Sequence, residues 1–300
     1  MLIKQIILWG HKLHSHTHSY IHYGFKRGFE HLGYKVLWLD NTDNISTIDF
    51  TNSLFITEGN VDDGIPIRDD CIYILHNCNG NKYNVEHKYN LQVITESALK
   101  QYKFNKMEDE YCYYQNDLIM MCWATDLLPN EINKNIELVK SNLLPITKEF
   151  NSKKINFVGM SIYPWDEVKK WCENNNIIYN NYGGFSNNVS SEKNMELIQE
   201  SILAPAVQEQ WQVDNGYIPC RIFKNISYGK MGMTNNRFVN ELFDNKLIYD
   251  TNIHQLMDKG IIFNDKSLLI ELMENVRDNH TYINRCKAII HLLKKFIQKS

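Results

Sequence analysis

The sequence predicts an α/β protein made of two Rossmann-like halves that face each other across a cleft, and three observations lead there. Residues 3–9 are a strand-length apolar run, residues 20–32 repeat apolar positions at helical spacing up to Gly33, and residues 35–40 are apolar again, which together read as a β-α-β unit. The same opening recurs midway, with a strand at 155–160, a helix from Pro164 through 175 and a strand at 177–179. Length and composition permit it, since 300 residues at 43% hydrophobic and 22% charged can bury the core of one or two domains.

Taken in order, further strand-like runs at 53–57, 71–75, 92–95 and 118–122 are each bounded by polar or glycine-containing segments, so the first half reads as an open parallel sheet. A polar helical stretch at 130–149 ends at Phe150-Asn151-Ser152-Lys153-Lys154, which sets the first domain as 1–150. The second domain, 151–280, continues with a helix at 192–201, a strand at 202–207, a helix at 219–228, a strand at 231–234, a helix at 237–243 and a last strand at 247–249. Helical runs at 253–260 and 266–297 close the chain, and residues 281–300 are expected to pack back towards the first domain as a C-terminal helix.

Several classes of function are excluded. No window approaches ~20 consecutive apolar residues, and the mean hydropathy is -0.42, so no membrane span is expected. The first apolar run is interrupted by Lys4 and Gln5 and lacks a small-residue cleavage pattern, so it reads as a strand and not a signal peptide. Seven scattered cysteines argue against a disulfide framework and for a reducing compartment, expected to be cytoplasmic. A net charge of -3 gives no basic footprint for nucleic acid or anionic membrane.

Open α/β sheets bind ligands beyond the carboxyl ends of their strands, so the loops after strands are where chemistry is sought. After the first strand come His11, His14, His16, His18 and His22, five histidines within residues 11–22. One reading is a metal site, since His18 and His22 have the i, i+4 spacing of a helical pair, although no acidic residue accompanies them. A second places His16 or His18 in the cleft as acid/base or as a binder of hydroxyl groups, with His11, His14 and Ser19 on the same ligand. A third is a solvated loop with Ser15 or Ser19 as helix cap. After the third strand, Glu58 and Asp62 stand where a carboxylate can take a proton from a hydroxyl, although Asp62-Asp63-Gly64 is also turn chemistry. His76 and Asn77 follow the fourth strand and suit sugar hydroxyls.

In the second half, a polar loop containing Asp214 and Tyr217 leads to Pro219 at a helix start, with Arg221 and Lys224 one turn apart. A helix N-terminus with cations on its first turns is a seat for a diphosphate. Gly229 then ends the helix before a short strand. The turn with Ser161 and Tyr163 is the other candidate to face a phosphate, Ser161 as donor and Tyr163 alternatively as packing, and Tyr182, beside Gly183-Gly184, stands either to close over a base or in a surface turn.

The run Pro219-Cys220-Arg221-Ile222-Phe223-Lys224-Asn225-Ile226-Ser227-Tyr228-Gly229-Lys230-Met231-Gly232-Met233-Thr234-Asn235, followed by Val239-Asn240-Glu241-Leu242-Phe243, resembles the donor-site helix of GT-B glycosyltransferases. The order of elements along the whole chain fits the same architecture, and within it the sequence looks most like compact, xylosyltransferase-like enzymes of large DNA viruses of the chlorovirus type, for which the compartment would be the host cytoplasm. The resemblance implies a nucleotide-diphosphate sugar, by default a UDP-sugar and UDP-xylose among them, held by the second domain, and a carbohydrate acceptor held by the first. Arg221 would meet the diphosphate, with Lys224 and Asn225 near the ribose or phosphates. Many retaining members carry a Glu at the place where Lys224 stands, a departure from the retaining pattern.

An inverting transfer needs its base across the cleft from the leaving diphosphate, which selects Glu58 or Asp62, with His16 and His18 as binders or the alternative base. No Asp-x-Asp motif follows a strand, so a metal-independent route without cofactor is expected, Arg221 acting as the clamp on the leaving group. Competing readings are a non-catalytic sugar-binding protein, an epimerase-like relative, and a metal hydrolase built on residues 11–22.

Overall fold

A computed structural model describes residues 3–12, 17–58, 62–76, 83–146, 153–159, 164–182 and 189–297. It is a mixed α/β structure with one large, mostly parallel sheet and, among the described residues, eleven helices.

The first half supplies β1 (Gln5–Trp9), α1 (Thr17–His31), β2 (Lys35–Leu39), β3 (Ser53–Thr57), β4 (Ile72–His76), β5 (Lys88–Val93), α2 (Glu96–Gln101), β6 (Asn105–Lys106), β7 (Cys112–Gln115), β8 (Leu118–Met121) and α3 (Pro129–Lys140). They form one sheet in the order β2-β1-β3-β4-β5-β8-β7-β6. Every residue of β1, β3 and β4 is buried, as expected of parallel strands covered on both faces. The sheet is not wholly parallel. β7 and β8 are an antiparallel hairpin around Asn116-Asp117, with Asn116 at φ +52, a position that asparagine tolerates better than most residues.

The second half supplies β9 (Lys154–Val158), α4 (Trp165–Asn174), β10 (Ile178–Tyr182), α5 (Ser191–Gln199), α6 (Gln210–Asp214), α7 (Cys220–Ser227), β11 (Met233–Thr234), α8 (Arg237–Leu242), β12 (Ile248–Tyr249), α9 (Ile253–Ile261), α10 (Lys266–Asn279) and α11 (Tyr282–Ile297). β9 pairs with β10 and β11 with β12, both parallel. The run expected as a strand at 202–207 is an extended connector between these pairs, Ile202 N–H donating to Lys154 O at 2.8 Å and Ala206 N–H to Met233 O at 2.9 Å.

The helix expected at 266–297 is two helices. It breaks at His280 and Thr281, where the His280 carbonyl accepts from Thr125 N–H at 2.9 Å and Asn284 accepts from Thr281 N–H at 3.2 Å. Asn279, His280 and Thr281 all have modest helix propensity, so the sheet edge captures their backbone at little cost. α11 then lies on α1. Gly24 and Gly28 of α1 leave room for Tyr282 and Cys286, and Phe25, Phe29, Ile289 and Leu293 join the sheet's core. A separate core runs from Ile94, Met120 and Cys122 of the first half through α3 and α10 to Ile218, Ile222 and Phe223 of the second. A third core packs β9, α4 and α9 through Phe157, Trp165, Val168 and Leu256. Among the described residues no helix is long and apolar enough to cross a membrane, and the described cysteines are free.

Candidate functional site

Strand register places the first group of side chains. Trp9 lies opposite both Leu39 and Thr57, and Thr57 opposite Leu75, so the residues that follow β1, β3 and β4 emerge along one edge of the sheet. Those residues are Gly10 and His11, Glu58, and His76 at the end of β4. α1 returns over this edge and adds His18 and His22, one turn apart.

The turn after β1 is held in a costly shape. Gly10 has φ +86 and His11 φ +56, the latter a left-handed conformation that histidine rarely adopts. The Gly10 carbonyl accepts from His22 Nδ1 at 2.9 Å and Trp38 Nε1 at 2.8 Å, while one Asp62 oxygen accepts from His11 N–H at 3.2 Å. A Cβ on Gly10 would come within 2.8 Å of that same oxygen, so glycine is required twice over. Thus fixed, His11 Nε2 lies 3.0 Å from Glu58 Oε2.

Behind this pair the protonation pattern follows from the acceptors. His22 Nδ1 faces a carbonyl, so it carries the proton, and its Nε2 is bare. His76 Nε2, 2.7 Å away, therefore donates to it and leaves His76 Nδ1 as a buried lone pair with no partner among the described residues. Burial drives His22 down to about 3 and holds His76 well below the usual imidazole value, so both rings are neutral at physiological pH.

The second group sits on α7. Arg221 donates to the Val158 carbonyl at 3.2 Å and lies over the rings of Phe157 and Trp165, 4.6 and 5.5 Å from their centroids. Gly159, at φ +149, lets it come close, since a Cβ there would be 3.0 Å from the guanidinium. Lys224 is buried at 6% exposure, its Nζ 5.3 Å from the centroid of the Tyr20 ring. Burial, and after it the neighbouring Arg221, push the Lys224 ammonium down to about 8. Among the described residues neither cation has an ion-pair partner.

Asp126, beyond the end of β8, joins the two groups. Its Oδ1 accepts from Tyr20 at 3.1 Å and from Tyr228, the residue capping α7, at 2.9 Å. Burial raises its pKa, and the Tyr228 hydroxyl, the Lys224 ammonium and the Tyr20 hydroxyl offset part of that rise. Tyr20 thus touches both Lys224 and Asp126 from the turn of α1 that carries His18.

The structure therefore brings together His11, His18, Glu58, Asp62 and His76 at one edge, and Arg221 and Lys224 on the helix begun by Pro219. Asp62 is spent on the His11 turn, its other oxygen accepting from Asn41 N–H at 3.4 Å. Ser19 is buried within α1. Tyr217 faces Trp211, with ring centroids 6.2 Å apart. Asn225 points into the core, donating to Ala204 O at 2.7 Å, and Tyr182 packs on Val158 and Leu197. Asp214 is exposed and bound to Gln210 at 2.7 Å, away from both groups. His14, His16, Asn77, Ser161 and Tyr163 lie outside the described residues. Sequence reasoning passed over Asp126, Tyr20 and Tyr228, although the rule of looking just past each strand applies to Ala124-Thr125-Asp126.

No protein-family model matches the chain, and no curated protein matches it in sequence. Among solved structures it is similar to the crystal structure of an alpha1,3-fucosyltransferase with GDP-fucose, at 10% identity, over 99% of this chain and 90% of that one, with a TM-score of 0.47.

Proposed function

We propose that the protein is a nucleotide-sugar glycosyltransferase of the GT-B arrangement, taking a carbohydrate hydroxyl as acceptor. The observation that carries this reading is the pair Arg221 and Lys224, two cations taken largely out of water and neither in a direct ion pair among the described residues, with only the Asp126 carboxylate acting on Lys224 from a distance, in the first turns of a helix and across Tyr20 from the histidine edge. Keeping two like charges desolvated and side by side is unfavourable unless an anion completes them. A diphosphate fits, meeting the α7 N–H groups and both cations.

Transfer then runs between the groups. Glu58, held by His11, takes the proton of the acceptor hydroxyl as its oxygen bonds to the anomeric carbon. The bond from that carbon to the diphosphate breaks, and Arg221 and Lys224 carry the charge of the leaving group in the role a donor-bound metal fills elsewhere. Attack from the face opposite the diphosphate inverts the configuration. Asp62 accepts from the backbone N–H groups of His11 and Asn41, which supports Glu58 over Asp62 as the proposed base. The donor is proposed to be a UDP-sugar.

Thermal stabilisation against UDP, GDP and their sugar conjugates, with chelator present, tests this, since a ligand of the folded state raises its stability. One selective shift, abolished in Arg221→Ala, is expected. A Glu58→Gln variant should keep that shift and lose transfer. A panel without any shift, or a shift unchanged in Arg221→Ala, would sink the reading.

A further inference from the structure

The fold assembles a donor set at the histidine edge that the spacing in sequence hides. His11, His18 and Glu58 each offer one ligand atom, and these atoms lie within 4.8 Å of one another. His11 Nε2 and the Glu58 oxygen are 3.0 Å apart, near the roughly 3.3 Å edge that ~2.0 Å bonds give around a four-coordinate ion. The His18 ring stands edge-on to that of His11, centroids 4.9 Å apart, on the first turn of α1, where a side-chain torsion brings it in.

Chemistry and surroundings agree with this geometry. Two histidines and one glutamate are the protein ligands of open zinc sites, which keep a water in the fourth position. His22 and His76 form a layer behind, with ring centroids 5.9 Å from His11 and 5.4 Å from His18 respectively, and their mutual bond engages the nitrogens that face each other. The Gly10-His11 turn is strained, and His22, Trp38 and Asp62 all anchor it, so the His11 ring meets Glu58 in a preset orientation.

We propose that His11, His18 and Glu58 bind one divalent ion of the zinc class, with water as the fourth ligand. The sequence reading expected no metal because no acid stands beside the histidines; Glu58 supplies it from just past the end of β3, the strand paired with β1. A carboxylate engaged by the ion cannot serve as a free base, so loading silences sugar transfer. That consequence rests on the proposed function, whereas the binding does not.

Chelator-treated full-length protein titrated with zinc chloride in a calorimeter should take up one ion per chain. His18→Ala and Glu58→Gln should each weaken binding at least ~10-fold. His254→Ala and His291→Ala, which remove histidines lying against Glu167 and Glu108 elsewhere on the surface, should leave it unchanged. Cobalt chloride added to the wild type needs no variant: an ion held in four- or five-fold coordination absorbs strongly in the visible, and a hexahydrated one does not. Zinc uptake that is absent, a cobalt spectrum of the hexahydrated kind, or binding that survives in the His18→Ala, Glu58→Gln pair overturns the proposal. Zinc binding with no nucleotide-sugar binding would count against the transferase alone, and the reverse pattern against the metal site alone.

Discussion

Replacing Gly24 by alanine tests the docking of α11 on α1, the contact that backs the helix bearing His18, Tyr20 and His22. A Cβ at position 24 would lie 2.2, 2.3 and 2.8 Å from Cδ2, Cε2 and Cγ of Tyr282, where carbon atoms need ~3.5–4.0 Å. The ring cannot swing clear, being 2% exposed and packed edge-on against Phe25 with centroids 4.9 Å apart. Overpacking of this kind costs ~1–3 kcal/mol, while alanine in a helix gains about 1 kcal/mol over glycine. Because the overlap exceeds 1 Å, the steric cost falls in the upper part of that range, about 2–3 kcal/mol, and a net destabilisation of about 1–2 kcal/mol is expected. Urea unfolding followed by circular dichroism should show an earlier midpoint at unchanged slope. In a Tyr282→Ala background the sign should reverse, since the ring is gone and only the propensity gain is left. A variant as stable as the wild type, or more so, would mean that α11 does not sit on α1 and would refute this reasoning.

Other outcomes follow from charges held out of water. Lys224→Met should stabilise the ligand-free protein by about 1–3 kcal/mol, since it removes an ammonium that burial pushes down to about 8, and should weaken nucleotide-sugar binding; paired urea and ligand titrations check it, and equal losses in both would mark Lys224 as scaffold. Burial, and after it the Arg285 guanidinium 3.0 Å away, hold His280 well below the usual imidazole value. The unfolded chain therefore takes up that proton first, so this contribution is fully present above about pH 6.5 and is lost as the pH falls, at ~1.4 kcal/mol per unit. Stability measured between pH 6.5 and 5 should fall less steeply in His280→Gln, and identical slopes would contradict it.

The alternation of apolar strands and helices was legible because β1, β3 and β4 are buried on both faces and so read as unbroken runs. The β7–β8 hairpin was not, because one of its strands, Cys112-Tyr113-Tyr114-Gln115, is only four residues long and, apart from Cys112, only partly buried, so it shows no clear apolar run. The break at His280 was invisible for a related reason: it is made by Thr125, far away in sequence, and not by a proline or glycine. For the site, Arg221, Lys224, Glu58 and the histidine cluster could be found by asking which polar residues follow a strand or open a helix. Which of Glu58 and Asp62 is tied to the His11 turn could not, because it depends on which carboxylate a backbone N–H captures.

The shared core bears on how such a site would close around a substrate. Ile94, Met120, Cys122, Ile218, Ile222 and Phe223 belong to one buried cluster that spans the two halves. A wide hinge opening would expose several of these side chains at once, each costing ~1.5–3 kcal/mol of lost burial. The Asp126 carboxylate would also lose Tyr20 or Tyr228 while remaining largely buried. Rearrangement local to the loops after the strands separates none of these groups. Ligand binding should therefore leave the radius of gyration from solution X-ray scattering unchanged while slowing hydrogen exchange at the ends of β1, β3 and β9; a measurable contraction would show that the shared core parts in solution and that the two groups meet only in a closed form.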